Sequence, residues 1–280
     1  MKVISASRRT DLTAFYPEWL AASCRAGRAR VLGPSGRVWD VDLRPEAVHS
    51  FVLWSKNFSN LLENVHGLSE ALRRYEQIYA LFTVTGLGGT AIEPGAPASE
   101  EALAQLPALI ASVGDPRRVS VRFDPVVYWN ESGRRQTNLE LFEGVAEAAA
   151  RAGVIDIRMS FAQWSGKAVR RARARGIEIE DPSEDEKIEA AARLAETAAR
   201  RGLRLWACAQ EFLSRAPGVR PSACLDGGLL AELHPRRLPA STSKDRTQRP
   251  ECGCTVSSDI GSYAQACPHA CVYCYANPSK

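Results

Sequence analysis

Short apolar runs alternate with longer amphipathic stretches along most of the chain. Six runs read as strands: Val3–Ser7, Ser50–Ser55, Ile78–Val84, Val119–Phe123, Ile155–Phe161 and Leu203–Cys208. Each is short and rich in Val, Ile, Leu or aromatic residues, as strands covered on both faces should be. Helical patterns fill the intervals at Ala14–Arg25, Leu61–Arg74, Glu101–Val113, Leu139–Ala152, Gly166–Arg175 and Ile188–Arg201. Pro107 should kink or restart the third. Thr137-Asn138-Leu139-Glu140 and Ser183-Glu184-Asp185-Glu186 carry capping-box spacing, and Gly153 and Gly202 supply stops.

Six strand-then-helix units imply right-handed crossovers and a parallel sheet. The expected fold class is therefore α/β, a parallel (β/α)6-type sheet curled into a partial or complete TIM-like barrel. A flat doubly wound sheet is the alternative, because alternation alone does not report closure. Either way, the working residues belong at the C-terminal ends of the strands.

After Pro235 the texture changes. Residues 236–250 hold five basic residues against Asp245, with Pro, Ser and Thr and no apolar period. The expected division is a (β/α) barrel over 1–235, then a loop and cysteine-rich segment over 236–280 folded back on the barrel mouth.

Composition narrows the class. With 45% hydrophobic and 24% charged residues, 280 residues suffice for one large core. A net charge of +4 is too weak to argue for nucleic acid. No run approaches the roughly 18 apolar residues of a membrane span. The start, Met1-Lys2-Val3-Ile4-Ser5-Ala6-Ser7-Arg8-Arg9, turns polar too soon for a signal peptide, so a cytoplasmic location is expected.

Eight cysteines are many for a reducing compartment, and seven lie in the final third. Cys24 stands apart and reads as core. Cys267, Cys271 and Cys274 have the spacing C-x3-C-x2-C. Three thiolates on one tight loop can each bind one iron of a [4Fe–4S] cubane and leave the fourth iron open. The competing reading is structural zinc with a fourth ligand such as His269. Cys208, Cys224, Cys252 and Cys254 form a second set of four, enough for another iron–sulfur cluster or zinc, with Gly253 allowing a tight turn. Against that, Cys208 and Cys224 also suit a buried apolar role.

The strand ends are polar where a core would not be. Arg8, Arg9 and Asp11 follow the first strand, Lys56 and Asn57 the second, and Thr83 and Thr85 close the third. Arg122 and Asp124 end the fourth, Ser160 the fifth, and Gln210 and Glu211 follow the sixth. Ion pairing would explain Arg8 or Arg9 with Asp11, and Arg122 with Asp124. The functional reading makes Arg8, Arg9, Lys56, Arg122 and Asp124 catalytic or substrate-facing, with Asn57, Thr83 and Ser160 near a cofactor. Lys56 and Arg122 are the leading candidates, and cations there suit an anionic substrate group. Gly86-Leu87-Gly88-Gly89 lacks the lysine of a phosphate loop and reads as a turn.

The C-x3-C-x2-C loop, with Tyr273 directly before its third cysteine, resembles the signature of radical S-adenosylmethionine enzymes. That resemblance implies a cluster-bound S-adenosylmethionine, Tyr273 beside the adenine, and an electron donor such as flavodoxin or ferredoxin. Tyr273-Cys274-Tyr275-Ala276 is also similar to the cluster loops of spore photoproduct lyase relatives. Over nearly its full length the chain resembles domain of unknown function 1848. The residues carrying this are Ile4-Ser5-Ala6-Ser7-Arg8-Arg9-Thr10-Asp11, Trp54-Ser55-Lys56-Asn57, Arg122-Phe123-Asp124-Pro125, Glu251-Cys252-Gly253-Cys254 and Asp259-Ile260-Gly261-Ser262-Tyr263. One departure stands out: the cluster loop ends this chain, whereas it follows the first barrel strand in typical radical enzymes.

Three functions are expected to compete. They are a radical enzyme acting on an unidentified small molecule or modified residue, a radical repair lyase on nucleic acid, and a non-catalytic protein stabilised by zinc or iron–sulfur. The basic runs 170–175 and 200–204 read as solvated helix faces, so nucleic acid is the weaker partner.

Overall fold

A computed structural model describes residues 1–33 and 35–276. Eight parallel strands form its main sheet: β1 (Lys2–Ala6), β2 (Val48–Ser55), β3 (Ile78–Thr83), β4 (Val119–Val126), β5 (Asp156–Phe161), β6 (Arg204–Cys208), β7 (Val219–Ser222) and β8 (Ser258–Asp259). Their order is β7-β6-β5-β4-β3-β2-β1-β8, so each strand neighbours its successor, except that β8 lies beyond β1. All six strands expected from the sequence are present. The count of six is corrected to eight, because β7 and β8 are too short and polar to show an apolar run. β8 also places part of the C-terminal segment inside the sheet, where Ser258 and Asp259 pair with Ile4 and Ser5.

Alternation along the strands separates two faces. Ile4, Phe51, Leu53, Ala80, Phe82, Val121, Phe123, Ile157, Met159 and Leu205 turn outward into a continuous apolar core with the helices. Val3, Val52, Tyr79 and Leu81 turn inward and pack with Cys224, Leu225, Leu230, Cys252 and Cys254. Thus the inner face of β1–β3 touches the segments that follow β7 and precede β8. Backbone hydrogen bonding joins these segments, Thr255 N donating to Leu225 O at 2.8 Å. Among the described residues, the sheet's own ladder stays open between β7 and β8.

Local rules explain where helices start. The Ser183 capping box forms and opens Glu184–Ala199. The Thr137 box does not, because Thr137 ends the hairpin of Tyr128–Glu131 and Arg134–Thr137, and Phe142–Arg151 starts without a side-chain cap. Pro17 splits the first expected helix into Leu12–Phe15 and Pro17–Ala26. Residues 61–74 similarly break into short turns, with Asn64, His66 and Gly67 in left-handed conformations. At Pro107 the chain restarts, giving Ser99–Ala104 and Leu106–Val113. Among the described residues, no helix is long and apolar enough to cross a membrane.

Candidate functional site

The loop of Cys267, Cys271 and Cys274 hangs over the C-terminal ends of β1, β2 and β3. Its suspension starts at Asp11, just past β1. One Asp11 oxygen accepts Ala14 N at 2.9 Å and caps a helix. The other accepts the Ser55 hydroxyl at 2.8 Å, Lys56 N at 2.9 Å and His269 Nε2 at 2.8 Å. On its far side His269 Nδ1 donates to Gly95 O at 2.9 Å, and Gly95 N donates back to His269 O at 3.1 Å. Both ring nitrogens thus face acceptors, which removes His269 as the fourth ligand of a zinc site.

Gly95 is needed here for closeness. A Cβ at this position would stand 2.2 Å from Pro268 O. Further along the loop, Val272 N donates to Ile92 O at 2.9 Å. Arg175 donates to Ala270 O at 2.9 Å, and Arg171 reaches the carbonyls of Val272 and Cys274. The helix carrying both arginines, Gly166–Ala174 with its end at Arg175, follows β5. Its basic character therefore clamps the loop on one face.

Beside the triad lies a buried polar group. Glu93 is almost fully buried and accepts from Lys56 Nζ at 2.9 Å, Thr85 Oγ1 at 2.6 Å and the Tyr273 hydroxyl. Burial works against the Lys56 charge, but Glu93 and then Cys271 more than offset it, so its pKa is raised. Burial pushes the Cys267 thiol up to about 11, with the Asp11 charge adding to it. Burial also raises Cys271, with Glu93 next, and Cys274. Thiols held in such an apolar setting resist ionising unless a cation joins them.

The inner face of the sheet carries the remaining candidates. Trp54 sits between two guanidinium groups, Arg8 at 5.3 Å and Arg122 at 5.0 Å from its ring centre. Trp54 Nε1 donates to the Ser5 hydroxyl at 3.0 Å. Arg122 pairs with Asp124 and donates to Thr83 Oγ1 at 3.1 Å, while Ser160 donates to Asp124. Arg122, Asp124, Thr83 and Ser160 therefore form one connected group. Arg158 reaches from β5 to Tyr79, Ser120 and Ala223 O.

Two sequence candidates face elsewhere. Arg9 turns to the C-terminal segment, where it donates to Gly261 O at 2.8 Å, lies 3.7 Å from Asp259 and stacks on Tyr263. Asn57 accepts Ser59 N at 3.0 Å and Gln105 Nε2 at 2.9 Å, so its amide shapes the turn after β2. Neither Arg8 nor Arg9 pairs with Asp11; Asp259 takes Arg8 N and Arg9, while Asp11 takes His269. Gln210 bonds the Phe161 backbone through both amide atoms.

Glu93 and Arg158 were not singled out from the sequence, and Trp54 entered only as part of the motif that carries the family resemblance. The signal for Arg158 existed: Val119-Ser120-Val121-Arg122-Phe123-Asp124 and Ile157-Arg158-Met159-Ser160 alternate strictly, which marks a polar inner face. Glu93 offered no local signal, since an irregular loop delivers it.

The second cysteine set also assembles. Cys208 ends β6, and its sulfur lies 3.4 Å from that of Cys224. Cys224, Cys252 and Cys254 pack in one buried cluster with Val3, Val52, Tyr79 and Leu81, and Cys254 Sγ accepts Leu225 N at 3.4 Å. Gly253 serves close approach rather than a tight turn, because a Cβ there would stand 2.8 Å from Ser222 O. Cys24 is core, its thiol pushed up to about 12 by burial. Among the described residues, no three His, Cys, Asp or Glu side chains surround a common point as a metal would require.

No curated protein matches the chain. Among solved structures, a D-hydantoinase from Bacillus sp. AR9 is similar at 16% identity and TM-score 0.34, over 77% of this chain and 45% of that one. The chain thus spans less than half the length of that enzyme. A family model described as a domain of unknown function matches residues 3–276, and on that near-complete match the chain belongs to the family DUF1848.

Proposed function

We propose that Cys267, Cys271 and Cys274 hold a [4Fe–4S] cluster and that the chain is a radical S-adenosylmethionine enzyme. The observation that carries this reading is the suspended loop: one buried and two half-buried cysteines on one loop, held by contacts to the segments after β1, β2 and β3 and to the helix after β5. The donor set suits the group. Three soft thiolates with no fourth protein ligand in place among the described residues leave one iron open, and Lys56 and Arg171 provide nearby positive charge. When bound, the cluster would supply the electron for reductive cleavage of S-adenosylmethionine to a 5′-deoxyadenosyl radical able to take hydrogen from a substrate.

The protein's part is binding, orientation and exclusion of water. Tyr273 and the Glu93–Lys56–Thr85 group border the triad and are the candidates for holding the cofactor. Arg8, Trp54 and Arg122 offer flat cationic and aromatic surface on the inner face, suited to an anionic substrate group. Asp124, Thr83 and Ser160 fix Arg122 in place. We read the curled sheet as barrel-like, with the contacts between Leu225 and Thr255 standing in for a ladder across the last gap. A zinc-stabilised binding protein is the weaker reading, since His269 is occupied by Asp11 and Gly95.

Iron and acid-labile sulfide should be measured in anaerobically isolated protein, with deoxyadenosine formation assayed after reduction. About four iron atoms and four sulfides belonging to the triad are expected, lost in Cys271→Ala. Reconstituted protein that binds S-adenosylmethionine yet never cleaves it under strong reductant would end the catalytic claim.

A further inference from the structure

We propose that Cys208, Cys224, Cys252 and Cys254 form a closed tetrathiolate site for one zinc ion, which clasps the two free edges of the sheet. The inference is independent of the chemistry at Cys267, Cys271 and Cys274.

The first observation is topological. Among the described residues, hydrogen-bond ladders join every neighbouring pair of strands from β7 round to β8, and none joins β7 to β8. The four cysteines lie at that gap. Cys208 ends β6, Cys224 follows β7 by two residues, and Cys252 and Cys254 precede β8. A metal held by all four would connect both edges where the backbone does not.

Charge supplies a second observation. Three arginines carry charge toward this set, Arg8 toward Cys254, Arg122 toward Cys224 and Cys208, and Arg158 toward Cys224, and Arg158 Nη2 donates to Ala223 O beside Cys224. Asp124 pairs with Arg122, and Asp259 lies near Arg8. Yet Arg8 Nη2, Arg122 Nε and Arg158 Nε are buried with no hydrogen-bond partner among the described residues. Buried cations require counter-charge, and four neutral thiols supply none. Four thiolates around a divalent ion carry a net double negative charge, which would face the unpartnered nitrogens of Arg8, Arg122 and Arg158.

Distance selects the metal class. Tetrahedral zinc with Zn–S of about 2.3 Å holds its sulfurs about 3.8 Å apart. The Cys208 and Cys224 sulfurs are 3.4 Å apart, so they need only a small opening. A cubane, in which each thiolate takes a different iron, would force them much further apart. In the thiol form the Cys208 and Cys224 side chains hydrogen-bond each other. On binding, each S–H proton leaves to solvent and each sulfur turns a lone pair to the ion. With four protein ligands no position stays open, so the role is structural.

The test uses the full chain carrying Cys267→Ala, Cys271→Ala and Cys274→Ala, which removes the other set. One zinc per chain by elemental analysis is expected, with no iron or sulfide. Replacing zinc by cobalt should give intense thiolate-to-cobalt charge-transfer absorption and tetrahedral d–d bands. Both should vanish when Cys252→Ser and Cys254→Ser are added. If that variant does not fold, cobalt absorption in the parent decides alone: its absence overturns the proposal. Iron with sulfide in the parent overturns it in favour of a cluster, and a Cys208–Cys224 disulfide in the native mass overturns it in favour of a redox pair.

Discussion

The two cysteine sets are built in opposite ways. Cys267, Cys271 and Cys274 are neighbours in sequence, and the fold's work is to hang their loop from distant strands through Asp11, His269 and Gly95. Cys208, Cys224, Cys252 and Cys254 come from three separate stretches, and the fold's work is to bring the sulfurs together. A local set advertises itself by spacing and depends on its tethers. A dispersed set shows in sequence only as a count of four and depends on topology. The arginines follow the same division: Arg171 and Arg175 hold the local loop through its carbonyls, whereas Arg8, Arg122 and Arg158 surround the dispersed thiols.

The largest expected effect separates the sets outright. Cys271→Ala should remove all iron and sulfide attributed to the loop while leaving the chain folded, because the tethers run through backbone and His269 rather than through the thiols. Circular dichroism alongside metal analysis checks this. Asp11→Ala attacks the tether instead. It deletes a buried carboxylate that serves Ala14 N, Ser55, Lys56 N and His269. Breaking a buried pair of this kind costs about 3–5 kcal/mol. Denaturant unfolding should show a loss of that size, with weaker cluster retention and unchanged zinc binding at the other set. Equal loss at both sets would mean the two are not independently supported.

Gly95→Ala should act in the same direction but less strongly. The added methyl meets a backbone carbonyl that cannot rotate away, so the loop must shift. Overpacking of this kind costs about 1–3 kcal/mol. Iron content per folded protein, compared with Gly89→Ala as a control for loop glycines with positive φ, would expose the tether. Gly89 has open space around its missing Cβ but a positive φ, so both variants carry a cost and only Gly95→Ala should loosen the cluster.

Legibility followed the same contrast. Six strands were readable because Phe51-Val52-Leu53 and Ile78–Phe82 are apolar enough to mark themselves. β8 was not, since Ser258–Asp259 joins the sheet through backbone pairing to β1 and leaves no apolar trace. Ser183 capped as its spacing indicates, whereas Thr137 was taken by a hairpin that the sequence reading left out. Arg122 with Asp124 was legible as a pair two residues apart on one face. Arg8 and Arg122 stacking on one indole was not, because β1, β2 and β4 must first be placed side by side. Glu93 reaches Lys56 and Tyr273 only through the register of a long loop.

The smallest effect concerns a histidine pair remote from both sets, which makes it a control on the comparison. His234 is buried, and its ring centre lies 4.6 Å from that of His49. Its Nδ1 accepts Arg236 N at 3.2 Å, so protonation there would break a hydrogen bond. Burial lowers its pKa, His49 adds to the shift, Glu76 opposes it, and Arg236 and Arg118 reinforce it. In the unfolded chain it titrates near about 6.5. Above that pH both states are neutral and the histidine costs nothing. As pH falls below it, the unfolded state takes up a proton that the folded state resists, and stability drops until the folded pKa is passed. The slope attributable to this site is at most about 1.4 kcal/mol per pH unit. His234→Phe should flatten it in urea unfolding measured below neutrality. The same flattening should appear in the chain lacking Cys267, Cys271 and Cys274, since acid then acts through His234 and not through the release of iron. A slope that disappears with those cysteines, and ignores His234→Phe, would tie the acid sensitivity to the suspended loop instead.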